Sequence, residues 1–530
     1  MIQGFWELCW NHDLKTRDHL LREAVRVAKM KQHMDQIPAE HDDITSDPEL
    51  LFERMKEQLG TMELGHFPGD RELFYKLYHM GKDIDLLEYG LQTIRQDRVI
   101  ASLQVHFGVF QTFIEHASRQ RNGRNWLVTE TEKFMEGLSK ERVLPEGVRL
   151  TLLTDNYIVT VLLKTYYRDQ PAVRVIQGSI YQPLQLNEVF DAILSVPNFG
   201  LKLEDHDIRM REAEGAAIQH LTPLLASGGK LVAVLPARMM FQSGSIGEWR
   251  LEMNERYPVS AIYVLPEGLF RPYTSVKTYL ILFCNEQSVA DVRIGRYKLA
   301  SSILEEDDVI GYKKAAFQQL EDWRIELLLD QDSQTLASFQ QAAVPKIKLK
   351  AAADLFRGKS ILKQDLQPGT VSVLNISNLE DGEVKLDQLE TIHEEERKVK
   401  RYEVLEGDLV MTCRGTQTKL AVFPGHSQMV IASANMIVIR FREQVNSMYA
   451  KMFLESPVGL AFIQSFQRGT TVMNLNPADV GEIEIPLWPM ERQLTMSQQY
   501  VEEKKLYMET LQAATQRWEQ QKEQMYMALF

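Results

Sequence analysis

FDAILSVPNFG, residues 190–200, decides the fold. A short apolar run from Phe190 to Val196 breaks off at a proline turn, as a strand covered on both faces does where it leaves a sheet. Working outward, runs of the same character recur on both sides. Towards the N-terminus they are AVRVIQG (172–178), VRLTLLTD (148–155) and RVIASLQV (98–105). Towards the C-terminus they are GKLVAVLP (229–236), VSAIYVLP (259–266) and VKTYLILFC (276–284). Helical stretches separate these runs, which is the alternation that a parallel sheet with crossover helices requires. The expectation is a doubly wound α/β domain over 96–300, with any ligand held beyond the carboxyl ends of its strands.

The flanks read differently. Residues 1–95 form a helical N-terminal domain: LLFERMKEQLG (50–60) and the segment 72–98 space apolar residues three and four apart, and Asp47-Pro48 and Gly69-Asp70 supply start signals. Residues 301–345 are acidic and read as a helical connector. Residues 346–490 carry short apolar runs punctuated by Gly and Asp, the pattern of a small β-rich domain. Residues 491–530 repeat Leu494, Tyr500, Leu506, Leu511, Ala514 and Trp518 with neither Gly nor Pro, as a long helix packing on a partner helix or lying on its own domain does.

The 530 residues have room for three or four domains of ordinary size. No apolar run reaches the roughly 20 residues of a membrane span, and the charged N-terminus lacks the core of a signal peptide, so a cytoplasmic protein is expected. Cys9, Cys284 and Cys413 are too few and too scattered for a disulfide framework or a thiolate metal site. A net charge of −13 excludes a protein that coats nucleic acid by bulk electrostatics, yet leaves room for a local basic cleft. Neither H-E-x-x-H nor G-x-x-x-x-G-K-[ST] occurs, so nothing supports a zinc hydrolase or a P-loop nucleotidase, and no metal is expected.

FDAILSVPNFG, GGKLVAVLPARMMFQSG (228–244) and IYVLPEGLFRPYTSVKTYLILF (262–283) together resemble the modification subunit of type I restriction–modification systems, the amino-group DNA adenine methyltransferases. FRGKSI (356–361), LNISNLEDGEV (374–384), EGDLVMTCRG (406–415), SANMIVIR (433–440) and IEIPLWPMERQ resemble one target-recognition domain of the companion specificity subunit. The resemblance covers about residues 100–525. It implies a Rossmann-like methyltransferase sheet, a β-rich recognition domain with a long C-terminal helix, double-stranded DNA as ligand and S-adenosylmethionine as cofactor.

That family methylates a flipped-out adenine, whose amino hydrogens are accepted by an Asn side chain and the carbonyl of the following proline while an aromatic ring stacks on the base. Here the tetrapeptide is Val196-Pro197-Asn198-Phe199: ring and proline remain, but Val196 has no side-chain oxygen, and Ser195 and Asn198 are out of register. The family's glycine-rich cofactor turn aligns with 104–111, where only Gly108 remains and Phe107 and Phe110 stand beside it. The ribose-binding acid corresponds to Asp155, one place off, and Gln177-Gly178-Ser179 lacks the acid that contacts the adenine ring.

The resemblance therefore implies an inactive methyltransferase-like domain that reads DNA within a restriction or anti-phage assembly. The alternative is an active adenine methyltransferase using Asn198 or Ser195. DNA contacts fall on Arg271, Tyr273, Thr274 and Lys277 in the sheet domain and on Arg414, Gln417, Lys419, Asn435 and Arg468 in the recognition domain, residue types suited to phosphates and base edges. One recognition domain reads half of a bipartite site, so the terminal helix is the expected join to a second copy or a partner subunit.

Overall fold

The computed structural model describes all residues except 39–40, 60–62, 97–103, 120–122, 142, 205–209, 271–275, 287–290, 321, 330–337, 340–341, 416–417, 467–472, 528 and 530. The chain divides into two compact units, Met1–Ile325 and Glu326–Phe530.

In the first unit the longer helices among the described residues are α1 (Ile2–Asn11), α2 (Arg17–Met34), α3 (Pro48–Gln58), α4 (Arg71–Gly81), α5 (Leu86–Gln96), α6 (Phe107–Ser118), α7 (Tyr157–Tyr166), α8 (Ala213–Leu221) and α9 (Ser245–Arg256). Their starts follow the side chains that cap them. Asp47 accepts from the Glu49 and Leu50 amides, Asp70 from Leu73, and Asn156 from Val159.

Nine strands form one sheet: β1 (Asn125–Thr129), β2 (Arg149–Thr154), β3 (Val173–Gln177), β4 (Phe190–Ser195), β5 (Leu225–Pro236), β6 (Val259–Val264), β7 (Thr278–Cys284), β8 (Asp291–Ala300) and β9 (Ile303–Lys313). Their order is β3-β2-β1-β4-β5-β7-β6-β8-β9. β3 to β5 run parallel, β7 enters antiparallel between β5 and β6, β8 is parallel to β6, and β9 closes a hairpin on β8. The order reverses between β1 and β4, so the crevice at their carboxyl ends is the place for a ligand. Alternate residues of the strands, such as Val128, Leu150, Leu152, Ala192, Leu194, Val232 and Val234, share one core with the N-terminal helices; α2 packs on α7.

Of the run RVIASLQV, expected as a strand, 98–103 lie outside the described residues, and Gln104 and Val105 are irregular. Among the described residues the first strand of the sheet is NWLVT, 125–129. Residues 303–313, expected in a helical connector, form β9. Its charges lie in cross-strand ion pairs, Arg293–Glu306, Arg296–Asp308, Lys298–Asp307 and Lys313–Asp291, which blunt a sheet edge.

The second unit contains β10 (Ala353–Arg357), β11 (Leu366–Leu374), β12 (Glu390–Ile392), β13 (Leu409–Thr412), β14 (Leu420–Val422), β15 (Val430–Ala432) and β16 (Met436–Phe441). A four-stranded sheet runs β10-β16-β13-β14 and a three-stranded one β12-β11-β15. Asp381 (φ 52°) and Gly382 (φ 75°) turn a short hairpin between Leu379–Glu380 and Glu383–Val384, where the left-handed backbone suits Asp-Gly. Helices α10 (Ser447–Leu454), α11 (Pro457–Phe466) and α12 (Met490–Met527) follow. The first turns of α12 are anchored. Gln493 donates to the carbonyls of Gln444 and Trp488, Ser497 bonds Asn446, Tyr500 bonds Glu455, and Lys504 donates to the Asp381 carbonyl. Farther along, Leu506, Leu511, Trp518 and Met525 are exposed. Among the described residues no helix is long and apolar enough to cross a membrane.

Candidate functional site

Five residues leave β1: Glu130, Thr131, Glu132, Lys133 and Phe134. None is glycine, and all are buried. Glu130 opens the turn in the left-handed region (φ 46°), which costs a non-glycine residue roughly 1–2 kcal/mol unless its surroundings hold it there. They do hold it. Lys133 Nζ donates to Glu130 Oε2 at 2.7 Å and, across the crevice, to the carbonyl of Val196 after β4 at 2.5 Å. Tyr181 donates its hydroxyl hydrogen to Glu130 Oε1 at 2.8 Å, and its oxygen accepts from the Asn198 amide at 2.8 Å. Thr131 Oγ1 bonds the carbonyls of Val128 and Leu153, joining the turn to β2 as well.

The carboxyl ends of β1, β2 and β4 are therefore stitched together by side chains. Burial next to Glu130 pushes the Tyr181 hydroxyl far above its ordinary range. Glu132 lies behind the turn and accepts from Thr154 Oγ1 at 2.6 Å. Burial raises its carboxyl to about 7, against the opposing pull of the Thr154 bond.

This turn, rather than 104–111, follows the opening strand of the sheet. Gly108 sits in the first turn of α6, its amide bonded to His106 Nδ1, beside Leu304 and Ser302 of the β8–β9 hairpin. Phe110 packs on Phe113 and Phe134. Gln104 and Val105 of that segment bond the turn, at the carbonyls of Glu132 and Lys133. Asp155 stands exposed just past β2, and its backbone carbonyl accepts from Gln177 Nε2 at 3.3 Å. Thr154, the last residue of β2, turns inward to Glu132.

Beyond β4, Val196 and Pro197 are buried, and Asn198 and Phe199 are half-buried. Phe199 meets Phe270 edge to face, centroids 5.6 Å apart. Ser195 Oγ and Asn198 Oδ1 are buried with no hydrogen-bond partner among the described residues. Gly200 (φ 77°) donates its amide to Glu214, which is fully buried and also accepts from Arg238 Nη2 at 2.8 and 2.7 Å. Of the expected DNA-contacting residues in this unit, Arg271, Tyr273 and Thr274 lie outside the described residues. Lys277 is half-buried, with its ammonium 5.9 Å from the centre of the Tyr279 ring.

In the second unit Arg414 is exposed on a two-residue strand paired with Met473–Asn474. Gln417 and Arg468 lie outside the described residues. Lys419 and Asn435 turn out to be engaged within the fold. Lys419 Nζ donates to the Leu379 carbonyl at 2.8 Å, and Asn435 Nδ2 to Asn375 Oδ1 at 3.4 Å. Asn375 Oδ1 also accepts from Ser433 Oγ, and Arg357 Nε donates to the Ala434 carbonyl, so the 432–435 turn is fixed by residues that the sequence reading did not single out. Within β16, Arg440 grips Asp408 with two bonds of 3.0 and 2.7 Å.

Residues 167–332 match the N-6 DNA Methylase family, and residues 345–499 match the type I restriction modification DNA specificity domain. The methylase subunit of the Escherichia coli type I restriction enzyme EcoEI is 26% identical over 148 residues, 27% of this chain and 29% of that subunit's own length. Among solved structures, the methyltransferase subunit of a type I restriction-modification system from Streptococcus thermophilus is 14% identical (TM-score 0.41), covering 58% of this chain and 91% of the other. The type IIG restriction endonuclease BpuSI is 10% identical (TM-score 0.42), covering 94% of this chain and 74% of the other.

Proposed function

Since the chain joins an N-6 DNA methylase domain to a type I restriction modification DNA specificity domain, we propose that it is a sequence-directed double-stranded DNA-binding component of a restriction–modification or anti-phage assembly, and that its methylase-like domain transfers no methyl group. The observation that carries this reading is the Lys133–Glu130–Tyr181 network across the switch point. N-6 methylases take S-adenosylmethionine, and the residues here do not fit it. The turn that would have to let the methionine moiety approach backbone is Glu130–Phe134, without a glycine, and a lysine side chain lies across the crevice. At the acceptor position Val196 offers only its carbonyl, already bonded to Lys133.

The functional contribution then lies in the recognition domain, with exposed Arg414 as a phosphate or base-edge contact, and catalysis belongs to another subunit. A cytoplasmic location fits DNA as the ligand. The exposed stripe of α12 is the join to a second copy or a partner subunit. One observation favours the second reading, an active adenine methyltransferase: Asn198 Oδ1 is buried with no hydrogen-bond partner among the described residues, two places beyond the expected acceptor. The purified chain is tested on duplex DNA with labelled S-adenosylmethionine. The proposal expects retention that falls steeply between low and physiological salt, and no label in the DNA. Label transfer establishes the second reading, and salt-independent failure to bind any duplex refutes both.

A further inference from the structure

We propose that Glu130 and Val196 form a binding site for a primary alkylammonium, and that the chain fills this site with its own Lys133 as a tethered ligand. The inference rests on the reading of the crevice as closed and gives the closure a specific chemistry. A site for R–NH3+ needs a carboxylate, one or more carbonyl oxygens at hydrogen-bond distance, and an apolar passage for the alkyl chain. Glu130 Oε2 and the Val196 carbonyl meet the ammonium at 2.7 and 2.5 Å. The Lys133 side chain is 3% exposed and that of Glu130 9%, so the pair is shielded from water.

The oxygens are also held independently of the lysine side chain. The Tyr181 hydroxyl fixes Glu130 from its other oxygen and is itself fixed by the Asn198 amide. The main chain of Lys133 is anchored at both ends, its amide on the Glu130 carbonyl and its carbonyl on the Val105 amide. Trimming the side chain to a methyl group therefore leaves a narrow cavity with a preset carboxylate and carbonyl at its end, open to an amine of matching length. The bridge from β1 to the loop after β4 thus belongs to the polypeptide itself.

The test is thermal unfolding of the full-length Lys133→Ala variant in n-propylammonium, n-butylammonium, n-butanol, tetramethylammonium or sodium chloride at matched ionic strength. The linear ammonium ions are expected to raise the variant's Tm by about 3 °C once their concentration is well above Kd, while leaving the wild type unchanged because its site is filled. The alcohol and the quaternary ion are expected to do no more than sodium chloride. If Lys133→Ala does not fold alone, the readout is its refolding yield in butylammonium against sodium chloride. Lys133→Met, which refills the passage, is expected to give no amine response. Equal effects of amine and sodium chloride on Lys133→Ala, an equal amine effect on the wild type, or binding of S-adenosylmethionine but no simple amine by Lys133→Ala would each overturn the inference. Wild-type binding of S-adenosylmethionine would instead overturn the proposed function.

Discussion

Replacing Glu132 by Gln should make the protein more stable at alkaline pH and leave it unchanged at acid pH. Burial raises the Glu132 carboxyl from the ordinary 4.5 to about 7 in the folded chain. A raised carboxyl holds its proton more tightly folded than unfolded, so its contribution is intact below about 4.5 and is lost as pH rises to about 7. At about 1.4 kcal/mol per unit, the loss reaches roughly 3 kcal/mol above neutrality. Glutamine keeps an oxygen for the Thr154 hydroxyl and cannot ionise. With an unfolding entropy of about 2.1 cal/mol/K per residue, residues 1–325 change Tm by about 1.5 °C per kcal/mol. The assay is differential scanning calorimetry of both proteins from pH 4.5 to 8.5. Glu132→Gln is expected to unfold about 4–5 °C higher than wild type at pH 8.5, with the gap closing to near zero at pH 4.5. A gap that does not change with pH, or a variant less stable at pH 8.5, would refute the assignment of Glu132 as a buried carboxyl raised by its burial.

Other outcomes follow from the second unit. Arg440→Met leaves the buried Asp408 carboxylate, among the described residues, with the backbone donor from Leu405, and should cost about 2 kcal/mol in urea unfolding of that unit, below the roughly 3–5 kcal/mol of a fully buried pair because Arg440 is itself a third exposed. Leu511→Asp combined with Trp518→Asp removes the exposed stripe of α12 and should convert any self-association seen by sedimentation into monomer while leaving the circular dichroism of the fold intact. Arg414→Ala should weaken duplex binding, with about one unit less salt slope if the contact is to a phosphate, or with a sequence-dependent loss if it is to a base edge; an unchanged binding isotherm rules Arg414 out of the interface.

Six strands of the large sheet stand in the sequence as apolar runs, because β2 and β4 to β7 are largely buried and tolerate few polar residues, and the edge strand β3 keeps three half-buried apolar residues, Val173, Val175 and Ile176. β1 was hidden for two reasons. NWLVT is only five residues long, and the turn after it lacks the glycines that usually mark this place, so RVIASLQV looked the better opening strand. β9 was hidden by its charges: ILEEDDVIGYK has the composition of an exposed helix, and only the hairpin partner β8 reveals that those acids face arginines and lysines across a ladder. The antiparallel entry of β7 has no local signature, since direction is set by the path of the chain and not by side-chain pattern.

The site was legible in part. That Val196 stands where the resembled family carries an Asn was visible in one tetrapeptide. The Lys133–Glu130–Tyr181 network was not, because Lys133 and Val196 are 63 residues apart and Glu130 and Tyr181 are 51 apart, and only the crossing of the strands brings them together. Lys419 and Asn435 show a different limit of the sequence reading. Their residue types suit DNA, but both side chains point into the fold's own hydrogen bonds, which composition cannot foresee.

The most direct measurement is isothermal titration of the purified full-length chain with S-adenosylmethionine, repeated in the presence of duplex DNA. A crevice crossed by Lys133 predicts heats indistinguishable from dilution into the millimolar range. A saturable isotherm with one site per chain would contradict it and return the methylase domain to cofactor chemistry.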